Sequence, residues 1–204
     1  MPELDFCYEF ASPYSYLAAM RAGELCAAAG VRLRWRPFLL GPIFAAQGWT
    51  TSPFNLYPAK GEYMWRDLDR LCAQRGLPLQ RPDPFPQNSL LAARLALAAP
   101  ESRRPEYSRA VFHAEFGDGR SISDEQVLRD CLALASMDAD EFLLKAKSDE
   151  VKAKLRAETE AARKAGIFGA PTFVASDGEL FWGDDRFEQA LDWAAGKALS
   201  GHVA

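Results

Sequence analysis

Residues 4–17 read Leu4-Asp5-Phe6-Cys7-Tyr8-Glu9-Phe10-Ala11-Ser12-Pro13-Tyr14-Ser15-Tyr16-Leu17, and they hold a strand, a turn and the start of a helix. Up to Phe10, apolar Leu4, Phe6, Tyr8 and Phe10 alternate with Asp5, Cys7 and Glu9, the period of two that a half-buried strand imposes. Ser12 is suited to cap a helix, because its hydroxyl can accept from an open N–H of the first turn. Pro13 then stands where a missing N–H costs nothing. The helical pattern continues through Tyr16, Leu17, Met20 and Leu25 to Gly30, a residue that readily takes the left-handed conformation in which helices end. Val31, Leu33 and Trp35 next alternate with Arg32, Arg34 and Arg36 until Pro37. Strand, helix and strand in this order predict a βαβ unit with parallel strands and a right-handed crossover.

Beyond this unit, residues 41–60 carry prolines and glycines on both sides of Trp49 and read as an irregular excursion, a kind of long loop that usually serves function. Helical patterns follow over 61–75, 88–99, 105–116, 124–136 and 140–166. Ser123 with Gln126, and Asp138 with Glu141, have the spacing of capping boxes, and Glu160 with Lys164 is an i,i+4 pair in the favourable order. After Gly166 the pattern returns to strands over 172–175 and 180–182, joined by a turn at Asp177-Gly178. A last helix starts near Asp184 or Asp185 and runs through Phe187, Leu191 and Trp193 towards Lys197, and the few residues after it are expected to fray. The fold class is therefore α/β with an all-helical insertion. The expected division is one domain from 1–40 and 166–204, a connecting loop 41–60, and an inserted helical domain 61–165.

The chain has 204 residues, 49% of them hydrophobic, with 13 Phe, 5 Trp and 6 Tyr, enough for a core and for an aromatic-lined site besides. Its net charge of −4 is spread over mixed signs, so no basic stripe suggests nucleic acid or an anionic membrane surface as partner. The start of the chain lacks the basic flank and apolar core of a signal peptide, and no apolar run is long enough to span a membrane. A cytoplasmic protein is expected. Cys7, Cys26, Cys72 and Cys131 stand singly, with no C-x-x-C and only His113 and His202 to join them, so no metal site is expected. The four thiols read as small buried hydrophobes. Ser12 and Ser15 occupy the turn where a dithiol oxidoreductase would carry its cysteines, and without a resolving thiol disulfide exchange has no route.

The βαβ unit, helical insertion and ββα unit, the last opened by Gly169-Ala170-Pro171-Thr172-Phe173, give the element order of a thioredoxin fold with an inserted domain. Phe10-Ala11-Ser12-Pro13-Tyr14-Ser15-Tyr16-Leu17, Lys60-Gly61-Glu62-Tyr63-Met64, Phe168-Gly169-Ala170-Pro171 and Gly183-Asp184-Asp185-Arg186 together resemble the kappa-class glutathione transferases and their relatives, the 2-hydroxychromene-2-carboxylate isomerases. Both belong to the DsbA-like part of the thioredoxin superfamily. The likeness runs over nearly the whole chain.

The resemblance implies glutathione as cofactor, Ser12 as the catalytic group holding its sulfur, and a cis peptide before Pro171. It also implies that the backbone of Ala170 pairs with the cysteinyl part of glutathione. Gly183, Asp184 and Asp185 would take a glutathione carboxylate on open N–H groups and its ammonium on an aspartate. Lys60 would supply a cation, and Asn55 and Leu56 would help to form the substrate site. Ser12 and Asp184 can equally be plain helix caps. Phe38, Phe44, Trp49, Phe54, Tyr63 and Trp65 offer apolar walls for a flat aromatic carboxylate. The implied activity is the glutathione-dependent interconversion of 2-hydroxychromene-2-carboxylate and trans-o-hydroxybenzylidenepyruvate in naphthalene-type catabolism, by a homodimer. The alternatives are a kappa-like transferase conjugating electrophiles and a glutathione-binding module without turnover.

Overall fold

The computed structural model describes residues 1–197, so the expected fraying of the last residues, and His202, lie outside the described residues. Strand β1 (Glu3–Tyr8) leads into helix α1 (Pro13–Ala29) and strand β2 (Arg32–Pro37), and β1 and β2 pair in parallel. Gly30, at φ 64°, ends α1 in the left-handed region, with its N–H on the Ala27 and Cys26 carbonyls. Eight helices come next: α2 (Leu40–Ala46), α3 (Pro53–Leu56), α4 (Pro58–Arg75), α5 (Leu90–Ala98), α6 (Arg104–Phe112), α7 (Glu125–Leu134), α8 (Ala139–Ala146) and α9 (Asp149–Lys164). Strands β3 (Thr172–Ala175) and β4 (Leu180–Trp182) follow, then a single 3₁₀ turn (Asp184–Arg186) and helix α10 (Phe187–Ala194).

The sheet order is β2-β1-β3-β4, with β3 antiparallel to both neighbours. Its register sets Trp35, Phe6, Phe173 and Phe181 in one row across the four strands. All four are buried, and Phe187 of α10 stacks on Phe173 with ring centroids 4.1 Å apart. Side chains alternate across a pleated strand, so the opposite face holds Cys7 and Val174, which pack with Ile43, Ala162 and Ile167. The site end of the sheet is thus gripped by α1 and α10 on one face and by α2 and α9 on the other.

Four expectations are corrected. The helix expected over 140–166 is two, α8 and α9, because Ser148 opens a new start by accepting from Val151 N–H. Residues 41–60 are largely helical, because Pro42, Pro53 and Pro58 all lie in first turns, where a missing N–H costs nothing. β1 stops at Tyr8 rather than Phe10, since the Ser12 N–H turns back to the Glu9 carbonyl at 3.0 Å. The cap of α7 is Asp124, whose carboxylate accepts from Gln126 N–H, in place of Ser123. Asp138 does cap α8 through Glu141 N–H. Glu160 gives both oxygens to Arg163 at 2.8 Å and keeps Lys164 at 3.8 Å.

Candidate functional site

The Glu9–Ser12 turn sets Ser12 in an extended conformation (φ −100°, ψ 113°) at the N-cap of α1, and its Oγ accepts from Ser15 N–H at 3.2 Å. The same hydroxyl donates to the Ala170 carbonyl at 2.9 Å. The Ala170-Pro171 peptide is cis, and the Pro171 carbonyl accepts from Gly183 N–H at 2.9 Å. Ser12, Ala170, Pro171 and Gly183 therefore lie side by side at one end of the sheet. The Ala170 N–H has no protein acceptor among the described residues. Gly183 takes φ 108°, and a Cβ there would meet Asp185 Oδ1 at 2.5 Å, so only glycine fits this turn.

The Asp184 carboxylate is not available for the ammonium, a role that the resemblance implies for one of the two aspartates. It is buried, with Oδ1 on Arg21 Nε at 3.0 Å and Oδ2 on Arg75 Nη2 at 2.8 Å. Arg21 also reaches the Asp184 carbonyl and Glu188. This acid braces α1 and α4 against the last turn, and its carboxylate is withdrawn from solvent in those ion pairs. Asp185 is its opposite: the side chain is 74% exposed and, among the described residues, pairs only with neighbouring Arg186.

Lys60, Asn55 and Leu56 are exposed on α3 and the start of α4. Lys60 Nζ sits 5.0 Å from the Tyr57 ring centre. The Asn55 amide donates to the Phe85 carbonyl at 3.0 Å and to Thr51. None of the three is hydrogen-bonded to Ser12, Ala170 or Gly183. What ties α4 to α1 is the Tyr14 hydroxyl, which donates to Asp67 Oδ2 at 3.0 Å. The six aromatic residues expected as one wall are dispersed. Phe38 is buried, Trp65 is covered by Phe85 and Arg81, Phe44 pairs with Trp49, Phe54 leans on Tyr14, and Tyr63 is exposed under Arg70.

Sequence reading missed an aromatic pair beside the cis-proline turn. Phe168 and Trp182 are half exposed, meet edge to face at 4.8 Å, and Trp182 lies so close over Gly169 that a Cβ there would stand 2.4 Å from its Nε1. It also missed two buried carboxyls. Glu9 reads as an outward strand residue, yet it is buried. Its Oε1 accepts from the Ser89 hydroxyl and Ala11 N–H, and its Oε2 from Leu40 N–H at 2.9 Å. Burial still raises its pKa. Glu115 lies in a π-helical turn (His113–Gly117), wholly buried, with neither oxygen partnered. Burial first, and the charge of Glu9 second, hold its pKa well above the carboxylate range.

A hydroxyl donor, the positive end of a 17-residue helix and an open N–H converge at Ser12 and Ala170. Such an arrangement suits a thiolate. No group of three or more His, Cys, Asp or Glu side chains able to hold a metal is found among the described residues.

A mixed four-stranded sheet, with a capped helix facing a cis-proline turn and helices inserted between β2 and β3, defines a thioredoxin-like fold of the DsbA type. The model of the DSBA-like thioredoxin domain matches residues 3–193, and the chain belongs to that family. A 2-hydroxychromene-2-carboxylate isomerase of Sphingobium xenophagum is 30% identical over 91% of this chain and 94% of its own. Glutathione S-transferase kappa 1 of Rattus norvegicus is also 30% identical, over 98% of this chain and 93% of its own. Among solved structures, a 2-hydroxychromene-2-carboxylate isomerase superposes with a TM-score of 0.84 at 28% identity, covering 95% of this chain and 94% of that one. No described helix is long and apolar enough to cross a membrane.

Proposed function

We propose that the chain is a glutathione-dependent isomerase that interconverts 2-hydroxychromene-2-carboxylate and trans-o-hydroxybenzylidenepyruvate. The observation that carries this reading is the Ser12 hydroxyl, held at the α1 N-terminus within hydrogen-bond distance of the cis-proline turn. The open Ala170 N–H and the glycine-only turn at Gly183 fit a thiol peptide laid along that turn. Asp185, exposed beside Gly183, is the acid placed to take its ammonium, and Lys60 is a cation for a carboxylate.

Glutathione, when bound, supplies a thiol that adds to the conjugated carbon of the ring-opened substrate and leaves again, so that a double bond is single while it rotates. The residues of the chain have simpler tasks. Ser12 turns its proton from the Ala170 carbonyl to the sulfur, and the helix N-terminus adds its partial positive charge; both favour the thiolate. Phe168 and Trp182 offer an apolar surface next to the turn for a flat acceptor. As the thiol is returned, the reaction is balanced as an isomerisation. A homodimer in the cytoplasm is taken as the working form, which sedimentation velocity and cell fractionation test.

Calorimetry is the first test. Glutathione at a hundred times its dissociation constant should stabilise the protein by about 2.7 kcal/mol, and no binding at all would overturn the reading. The second is the change in chromene ultraviolet absorbance with and without glutathione, beside conjugation of chlorodinitrobenzene. Conjugation without isomerisation would favour the transferase alternative, to which the kappa-class relatives are equally similar.

A further inference from the structure

A groove of about 240 Å³ lies between α2, α5 and α9, and shares no lining residue with the Ser12 site. Leu39, Ile43 and Leu155 give it an apolar floor, and Arg94 and Arg156 stand in its wall. The other cations at the groove, Lys152 and Arg163, are paired with Asp149 and Glu160. Arg94 and Arg156 are not: neither has a hydrogen bond or ion pair to any described group.

Arg94 is the informative one. It is half-buried, and its Nε is completely buried without an acceptor. Other arginines withdrawn from solvent have a counter-charge or carbonyls: Arg21 and Arg75 hold Asp184, although Arg75 Nη1 is itself buried without a partner, Arg36 holds Asp5 and Glu158, and Arg104 holds main-chain carbonyls. A guanidinium cannot shed its proton to escape burial, and buried polar groups without partners are rare in folded proteins. Its planar fork matches a carboxylate. The floor beneath it is apolar, which a free inorganic anion could not use. The volume is just below the range of about 300–1,000 Å³ for drug-sized ligands, so the occupant is smaller.

We propose that this groove is a second binding site, for a small organic carboxylate whose head group lies on Arg94 and whose apolar body covers Leu39, Ile43 and Leu155. The proposal does not rest on the isomerase reading, since glutathione and Ser12 play no part in it.

The test is a calorimetric titration of the full chain with octanoate, octanamide and inorganic phosphate, with and without saturating glutathione. Octanoate should fill one site, unchanged by glutathione or by Lys60→Ala, and bind at least tenfold more weakly to Arg94→Gln. Arg94→Lys, which keeps the charge but loses the fork, should fall between the two. Octanamide and phosphate should bind at least tenfold more weakly than octanoate. Absence of saturable octanoate binding to the native protein would overturn the proposal. So would equal binding by a folded Arg94→Gln, or phosphate binding as tight as octanoate.

Discussion

Ser12 makes two hydrogen bonds, and its two readings use them differently. Accepting from Ser15 N–H makes it a cap, and removal of a cap costs about 1 kcal/mol. Turning the proton it now gives the Ala170 carbonyl to a bound sulfur is what the proposed function asks of it as a catalyst. Ser12→Ala is expected to lower turnover at neutral pH by roughly ten- to a thousandfold, as one strong hydrogen bond is lost from the transition state. Raising the pH should recover part of this, because thiolate then forms without the serine. A variant that melts lower but keeps native turnover and pH profile would leave Ser12 as a cap alone. The two aspartates next to each other give a second contrast. Asp184→Ala strips the counter-charge from Arg75 and one of two from Arg21, which keeps Glu188; breaking fully buried pairs costs about 3–5 kcal/mol. Here it should be smaller, since the arginine side chains are 18% and 24% exposed. Asp185→Ala should leave the melting temperature alone and weaken glutathione binding. Melting curves and calorimetry on both variants check the pair.

At the scale of elements, the π-helical turn that carries Glu115 gives stability an unusual pH dependence. In the unfolded chain a glutamate ionises near pH 4.3, whereas the folded value is raised by burial and by Glu9. Below the unfolded value both states hold the proton, and the contribution to stability is complete. Above it only the unfolded state ionises, so stability falls as pH rises, by up to about 1.4 kcal/mol per pH unit, until the folded value is passed. Glu115→Gln has no proton to lose and should reduce this slope, leaving the share that buried Glu9 contributes. Urea unfolding at several pH values above 4 checks it, and identical slopes in both proteins would show that Glu115 does not titrate on unfolding. Neither buried acid was legible in the sequence. Glu9 continued a clean alternation until the chain turned at Phe10, and Glu115 sat in an ordinary helical pattern. The strands, by contrast, were legible because Phe6 and Trp35 alternate with charged Asp5, Arg34 and Arg36, and because Asp177-Gly178 marks the turn between β3 and β4. Gly169-Ala170-Pro171 marked the turn opposite Ser12. The helices of 41–60 were hidden because Pro42, Pro53 and Pro58 look like breaks when counted and like helix starts only when placed. The burial of the Asp184 carboxylate was hidden for a different reason: its partners are 163 and 109 residues away, beyond any local pattern.

Across the whole molecule, the thiols share one condition. Cys7, Cys26, Cys72 and Cys131 are all buried and unpaired. Burial pushes Cys7 and Cys131 up to about 12, and Cys26 and Cys72 up to about 11, so at neutral pH none is a ready nucleophile. With Ser12 and Ser15 in the active turn, the protein is expected to leave insulin disulfides intact in glutathione buffers of any poise. Reduction faster than buffer alone would reveal a thiol less protected than its burial implies.

The same four silent thiols make the native chain a clean background for spectroscopy. A single cysteine introduced at an exposed position, such as Arg66 on α4 or Gln189 on α10, would be the one fast target for a maleimide dye or a nitroxide label. No native cysteine would have to be deleted first. A labelled pair at those two positions would report directly whether the distance between α4 and α10 changes when a thiol peptide is added.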